Sequence, residues 1–189
     1  MKRTVIAIMF MIISPGIKAQ ITNTADSFKV TPEGFTQSVI REYPEKSDDE
    51  LFQSVIMWAK FTIDNYEEAI TRNIANQYLE FRMFVPQGIA LKDNGEVYQW
   101  DVMMDVAFRF KDGKIRYDIG LVEVSSPEAP AFAFVAPPEQ WSFFDSDGKT
   151  REFNQKSQEQ INTIANNIIR SVSAYVNRDA KIPDDATTD

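Results

Sequence analysis

From Val97 to Lys111 the chain alternates with a period of two. Tyr98, Trp100, Val102, Met104, Val106, Phe108 and Phe110 occupy the even positions, while Gln99, Asp101, Asp105, Arg109 and Lys111 are among the odd ones. That is the pattern of a long strand with one buried face and one wet face. Asp112-Gly113 then supplies a two-residue turn whose backbone matches strand twist, and Ile115, Tyr117, Ile119 and Leu121 return at odd positions. Placing Asp112 and Gly113 in the turn sets Phe110 opposite Ile115, Phe108 opposite Tyr117, Val106 opposite Ile119 and Met104 opposite Leu121. A slip of one residue would send these side chains into water. The chain must therefore build an antiparallel sheet with an apolar face that other elements cover.

Two segments have the pattern to cover it. Ser47-Asp48-Asp49-Glu50 opens a helix in which Ser47 caps and Glu50 reciprocates, and Leu51, Val55, Trp58, Ala59 and Ile63 recur at helical spacing until Asp64-Asn65. The second helix spans 155–176, where Ile161, Ile164, Ala165, Ile168, Ile169, Val172, Tyr175 and Val176 advance in steps of three and four. Ser157 and Gln160 resemble a capping pair at its start. Further strands are expected over 35–43, 69–74 and 78–85, the last broken by Pro86 and Gly88, with Lys92-Asp93-Asn94-Gly95 as a turn. Between 125 and 147 the pattern dissolves among Pro127, Pro130, Pro137 and Pro138. Phe132, Phe134, Trp141, Phe143 and Phe144 nevertheless make that stretch strongly apolar. It is expected to pack back over the domain, with a sticky patch for a partner as the alternative.

The N-terminus carries Lys2 and Arg3, an apolar run from Val5 to Ile13, a Ser14-Pro15-Gly16 break and a small Ala19. These are the three regions of a secretory signal. The run is too short to cross a hydrocarbon core of roughly 30 Å, so a soluble secreted or periplasmic product cut near Ala19-Gln20 is expected, with no membrane span. Loss of 1–19 leaves 17 basic and 28 acidic side chains, a net charge near −11. Such a surface repels nucleic acid. The expected organisation is a signal peptide at 1–19, a lead-in at 20–34, one domain over 35–177 and a disordered acidic tail at 178–189.

The chain has no His and no Cys. Thiol nucleophiles, Cys/His zinc sites, disulfides and imidazole acid–base catalysis are thereby excluded, as is lipidation of a Cys at the signal. With no disulfide, stability rests on packing, for which 14 Phe, 3 Trp and 7 Met are available.

The segment DDELFQSVIMWAKFTI at 48–63 and the hairpin VAFRFKDGKIRYDI at 106–119 resemble the DUF4468 family, a domain of unknown function with a TBP-like fold found in exported proteins of Bacteroidota. The likeness covers roughly residues 35–124. It implies an α+β domain of order β-α-β-β-β-β-α, a curved antiparallel sheet with two helices packed on one face. It implies no activity, and fold analogy to a DNA-binding sheet does not carry over to a face bearing Asp101, Asp105 and Asp118.

Those three acids, with Arg109 and Arg116, form the candidate sheet-face surface. Asp101 and Asp105 are four residues apart on one strand, roughly 13 Å, wider than the usual glycosidase pair. Glu80 or Asp118 would have to close the gap. Arg109 and Arg116, opposite each other, are candidates for holding an anion, with neutralisation by Asp118 or Asp101 the simpler reading. Asp145-Ser146-Asp147-Gly148 resembles the start of a calcium loop but has Gly at the fourth position and Gln at the twelfth, which reads as a turn. Lys60, Lys149 and Lys156 offer no S-x-x-K spacing, and there is no Gly-rich phosphate loop. Trp58 and Trp100 read as core. No cofactor or metal is expected. The preferred reading is a non-enzymatic binding or accessory domain of the cell envelope, its partner a protein or another envelope component. A carboxylate-based hydrolase or small-ligand binder on the sheet face, and a structural or oligomerising envelope protein, are the alternatives.

Overall fold

A computed structural model describes residues 24–35, 37–137, 140–150 and 152–178. In chain order the elements are β1 (Thr24–Ala25), β2 (Ser38–Glu42), α1 (Asp48–Thr62), α2 (Tyr66–Ala69), β3 (Ile70–Ile74), β4 (Tyr78–Asp93), β5 (Glu96–Lys111), β6 (Lys114–Ser125), β7 (Phe132–Ala136), β8 (Trp141–Asp145) and α3 (Glu152–Val176). The expected signal at 1–19 and all but the first residue of the expected tail lie outside the described residues.

The β5–β6 hairpin sets the register of everything else. Phe110 faces Ile115, Phe108 faces Tyr117, Val106 faces Ile119 and Met104 faces Leu121. Its turn holds Asp112 and Gly113 at φ +54° and +68°, the left-handed pair that a type I′ hairpin turn requires. A Cβ on Gly113 would also come within 3.1 Å of the Tyr43 carbonyl oxygen. β4 pairs along β5, β3 along β4 and β2 along β6, all antiparallel.

Several expectations need correction. The sheet was expected to be curved and wholly antiparallel, with five strands. It is an open, mixed six-stranded sheet in the order β1-β2-β6-β5-β4-β3, because β1 lies parallel to β2. A second sheet, of β7 and β8 paired in parallel, stands apart from it. The element order β-α-β-β-β-β-α is accordingly replaced by the longer one above. Pro86 and Gly88 also do not end a strand. β4 continues to Asp93 through a register shift between Val85 and Ile89, a bulge that accommodates the proline. Gly88 is needed there for space, since a Cβ would lie 2.8 Å from Val102 Cγ2 and 3.2 Å from Ile164 Cδ1.

α1 and α3 cover the apolar face. Leu51, Val55, Trp58 and Ala59 of α1 and Ile161, Ala165, Ile169 and Val172 of α3 are buried with Leu79, Phe81, Val102, Val106, Phe108 and Tyr117 of the sheet. α3 begins at Glu152, ahead of the expected start at 155, and the buried Ser157 hydroxyl, read as part of a capping pair, donates instead to the Asn154 carbonyl. Residues 24–30, expected as a polar lead-in, contribute Phe28 and Val30 to the core. Two asparagines of α3 hold them there. Asn162 Oδ1 accepts the Val30 N–H at 2.7 Å, and Asn166 both accepts from and donates to the Phe28 backbone at 2.9 Å.

The start of α1 carries the expected capping box: the Ser47 hydroxyl accepts the Glu50 N–H and the Glu50 carboxylate accepts the Ser47 N–H at 2.7 Å. Ser47→Ala is expected to lower stability by about 1 kcal/mol, read by urea denaturation. The bonds from Ser47 hold the Glu50 carboxyl below its ordinary value of 4.5. A lowered folded value means that this contribution is complete above pH 4.5 and is lost as pH falls through the folded value. The difference between wild type and variant should therefore shrink on acidification; a constant gap from pH 7 to pH 3 would contradict the linkage.

Candidate functional site

With one sheet face under the helices, the odd positions of β5 and the even positions of β4 and β6 form the other face. The pairing lays them out in rows across the strands. Tyr78, Arg109, Arg116 and Ile40 make one row, Glu80, Ala107 and Asp118 the next, and Arg82, Asp105 and Gly120 a third. A cleft of about 420 Å³ lies over them, lined by Ser38, Glu80, Asp105, Arg109, Arg116 and Asp118 among others. Gly120 leaves open space within 4 Å of where its side chain would stand.

Asp118 is the hub. Its Oδ1 accepts the Ser38 hydroxyl at 2.5 Å and the Arg116 Nε and Nη2 at 3.1 and 2.9 Å. Its Oδ2 accepts Arg109 Nε at 3.2 Å. Asp105 takes the fork of Arg82 through Nε at 2.8 Å and Nη2 at 3.1 Å, which raises the arginine above its ordinary value. The Tyr78 hydroxyl donates to Glu80 at 3.1 Å, and burial first, with the Glu80 carboxylate second, holds the phenol above its usual value. Four of the five candidate residues, Asp105, Arg109, Arg116 and Asp118, thus line one cleft.

Asp101 stands apart. Its Oδ1 accepts the N–H of Gln87 at 2.8 Å, pinning the β4 bulge where Gln87 has φ +52°. Asp118, not Asp101, neutralises the facing arginines. Sequence reasoning missed Ser38, Arg82 and Tyr78 as members of this surface. Arg82 was within reach of it, because the alternation of Glu80 and Arg82 against Leu79 and Phe81 already put it on the wet face. Ser38 gave no signal, since its place depends on β2 joining β6 eighty residues away.

The aromatic segment faces inward. Phe143 and Phe144 are buried, and Phe132, Phe134 and Trp141 are half-buried against the core. Trp100 organises them, with ring centroids 5.2 Å from Phe132 and 5.1 Å from Trp141, and its indole N–H donates to the Pro130 carbonyl at 2.8 Å. Phe143 meets Phe132 at 4.8 Å and Phe134 at 5.3 Å. What this segment offers to solvent includes Val135, 42% exposed.

At the calcium-loop look-alike, Asp145 Oδ1 accepts the N–H groups of Asp147 and Lys149 at 3.1 and 2.6 Å, the bonding of a turn. Among the described residues no group of three or more His, Cys, Asp or Glu is placed to hold a metal. Lys149 pairs with Asp147 and Lys156 with Glu152, while Lys60 lies over the Tyr66 ring. No helix among the described residues is long and apolar enough to cross a membrane.

The structure is similar to that of a DUF4468 family protein from Bacteroides ovatus, with a TM-score of 0.54 and 9% identity over 77% of this chain and 88% of that one. It is also similar to a TBP-like protein from Parabacteroides distasonis, with a TM-score of 0.53 and 12% identity over 75% of this chain and 91% of that one. At such identities the shared property is the fold. No family model and no curated protein matches the sequence.

Proposed function

We propose that this chain is an exported, non-enzymatic binding domain of the cell envelope, and that it works through the polar face of its sheet. The observation that carries the reading is the Asp118 hub. One carboxylate gathers Ser38 of β2, Arg109 of β5 and Arg116 of β6 into a fixed polar floor spanning three strands. Such a floor is preorganised for recognition, because its side chains need little further ordering when a partner arrives. It is poorly suited to hydrolysis. A general acid or nucleophile needs a carboxyl group free to meet the reacting bond, whereas the Asp118 and Asp105 oxygens are already engaged by arginines. The N-terminal stretch, with its basic start and short apolar run, supports export.

A photoreactive benzophenone amino acid at Phe84, 59% exposed on this face, tests the reading against the same group at Met57, 38% exposed on α1. Irradiated in the cells that make the protein, the Phe84 position is expected to give a discrete adduct and the Met57 position none. Adducts from the helix side alone, or none from either, would overturn it.

A further inference from the structure

Beside the Asp118 hub, at the end of the sheet nearest the β5–β6 turn, lies a second cleft of about 530 Å³. Its charged lining is Arg72, Arg109, Lys111 and Asp48. Three cations line it against one carboxylate, with Arg109 shared with Asp118 of the neighbouring hub at 3.2 Å, a balance opposite to that of the whole chain, whose formal charge is −8. The lone acid is turned to the backbone, with Asp48 Oδ1 accepting the Gly113 N–H at 3.2 Å. Arg72 and Lys111 make no ion pair among the described residues.

The arginines are also gathered. The guanidinium groups of Arg72 and Arg109 each lie over the ring of Tyr78 at 5.1 Å from its centroid. The ring face attracts each cation, but two like charges on one ring repel each other. The Tyr78 hydroxyl is fixed by Glu80, so the ring acts as a post that holds both guanidinium groups at the cleft. An anion in the cleft would offset the repulsion and offer acceptors to Arg72, to Lys111 and to the Nη groups of Arg109, whose Nε is on Asp118.

We propose that this cleft binds a tetrahedral oxyanion, the phosphate or sulfate ester group of a ligand. Cations lining one cleft from β3 and from two positions of β5 suit a group with three outward oxygens and nearly two negative charges, more than the flat two-oxygen edge of a carboxylate. The site differs from the facing pair Arg109 and Arg116 weighed from the sequence, because Asp118 occupies the space between those two. The inference rests on the polar face being a binding surface and names the chemistry of what its end takes.

The test is a titration of the full-length protein, followed by NMR of the arginine side-chain Nε–Hε groups. Inorganic phosphate, sulfate and acetate are compared at constant ionic strength. Phosphate or sulfate is expected to move Arg72 Nε–Hε saturably, while Arg82 Nε–Hε, already forked onto Asp105, stays put. The double variant Arg72→Gln/Lys111→Gln should weaken binding roughly tenfold or more, and Arg72→Lys, which keeps the charge, should lose much less. Both positions are exposed, and amide dispersion checks that each variant is folded. O-phosphoserine against glucose 6-sulfate then shows which ester is preferred. Shifts that never saturate, that appear equally at Arg82, that survive the double variant, or that acetate reproduces would each overturn the proposal. Titration reads the isolated protein and cross-linking reads the partner, so either can fail without the other.

Discussion

Trp58→Ala is expected to destabilise the protein by about 3–5 kcal/mol, against a total of roughly 5–15 kcal/mol for a typical domain. Trp58 is 2% exposed and sits where α1, α3 and the sheet converge. Its indole meets Phe81 edge-on at 6.4 Å and Phe108 at 5.8 Å, and its N–H donates to Ser171 Oγ of α3 at 3.0 Å. Truncation removes the ring contacts, leaves a cavity that the surrounding aromatics fill only in part, and cuts the bond to α3. Urea denaturation should show a much lower midpoint with the slope kept, since the surface exposed on unfolding hardly changes. A loss below about 1 kcal/mol would mean that the layers are joined elsewhere.

Trp100→Ala should cost about as much, 3–5 kcal/mol for a buried indole, but distribute it differently. Trp100 is 1% exposed and is the shared neighbour of Phe132, Trp141 and the Pro130 carbonyl. Without it the β7–β8 pair loses its rivet to β5, while the β5–β6 hairpin keeps Phe108, Tyr117 and the α1 contacts. Hydrogen exchange is expected to accelerate first over 132–145, ahead of 97–119, as a local opening rather than a global one. In Trp58→Ala both regions should accelerate together. Equal acceleration of the two regions in Trp100→Ala would show that β7–β8 is an integral part of the main cooperative unit.

The contrast between these residues also marks how much was legible beforehand. The hairpin could be read to the residue pair because alternation and the Asp-Gly turn are both local, and each constrains the other. Its diagonal partners followed, so Arg109, Arg116 and Asp118 could be placed together from the sequence. α1 was equally plain, its cap and apolar stripe lying in one continuous stretch from Ser47 to Ile63. The bulge in β4 was hidden because Pro86 and Gly88 read as breakers until Asp101 of the neighbouring strand is present to accept the Gln87 N–H and Val102 to pack close against Gly88. β7 and β8 were hidden because their apolar residues cluster rather than alternate, and a short parallel pair leaves no turn to announce it. The second cleft was out of reach for a related reason. Arg72 and Arg109 share the Tyr78 ring only through the pairing of β3 to β4 and of β4 to β5, and no single segment carries that information.

The asparagines of α3 that hold Phe28 and Val30, just after β1, set an order of events. Val30 and Phe28 are bonded to Asn162 and Asn166, 132 and 138 residues further along. A ribosome adding roughly 5–20 residues per second needs on the order of ten seconds to cover that distance. Throughout it Phe28 and Val30 have no native partner on α3, and closing so long a loop is among the slower steps of folding. The domain therefore cannot seal before α3 exists, which leaves the growing chain an interval in which its N-terminal end is still open to be held or threaded.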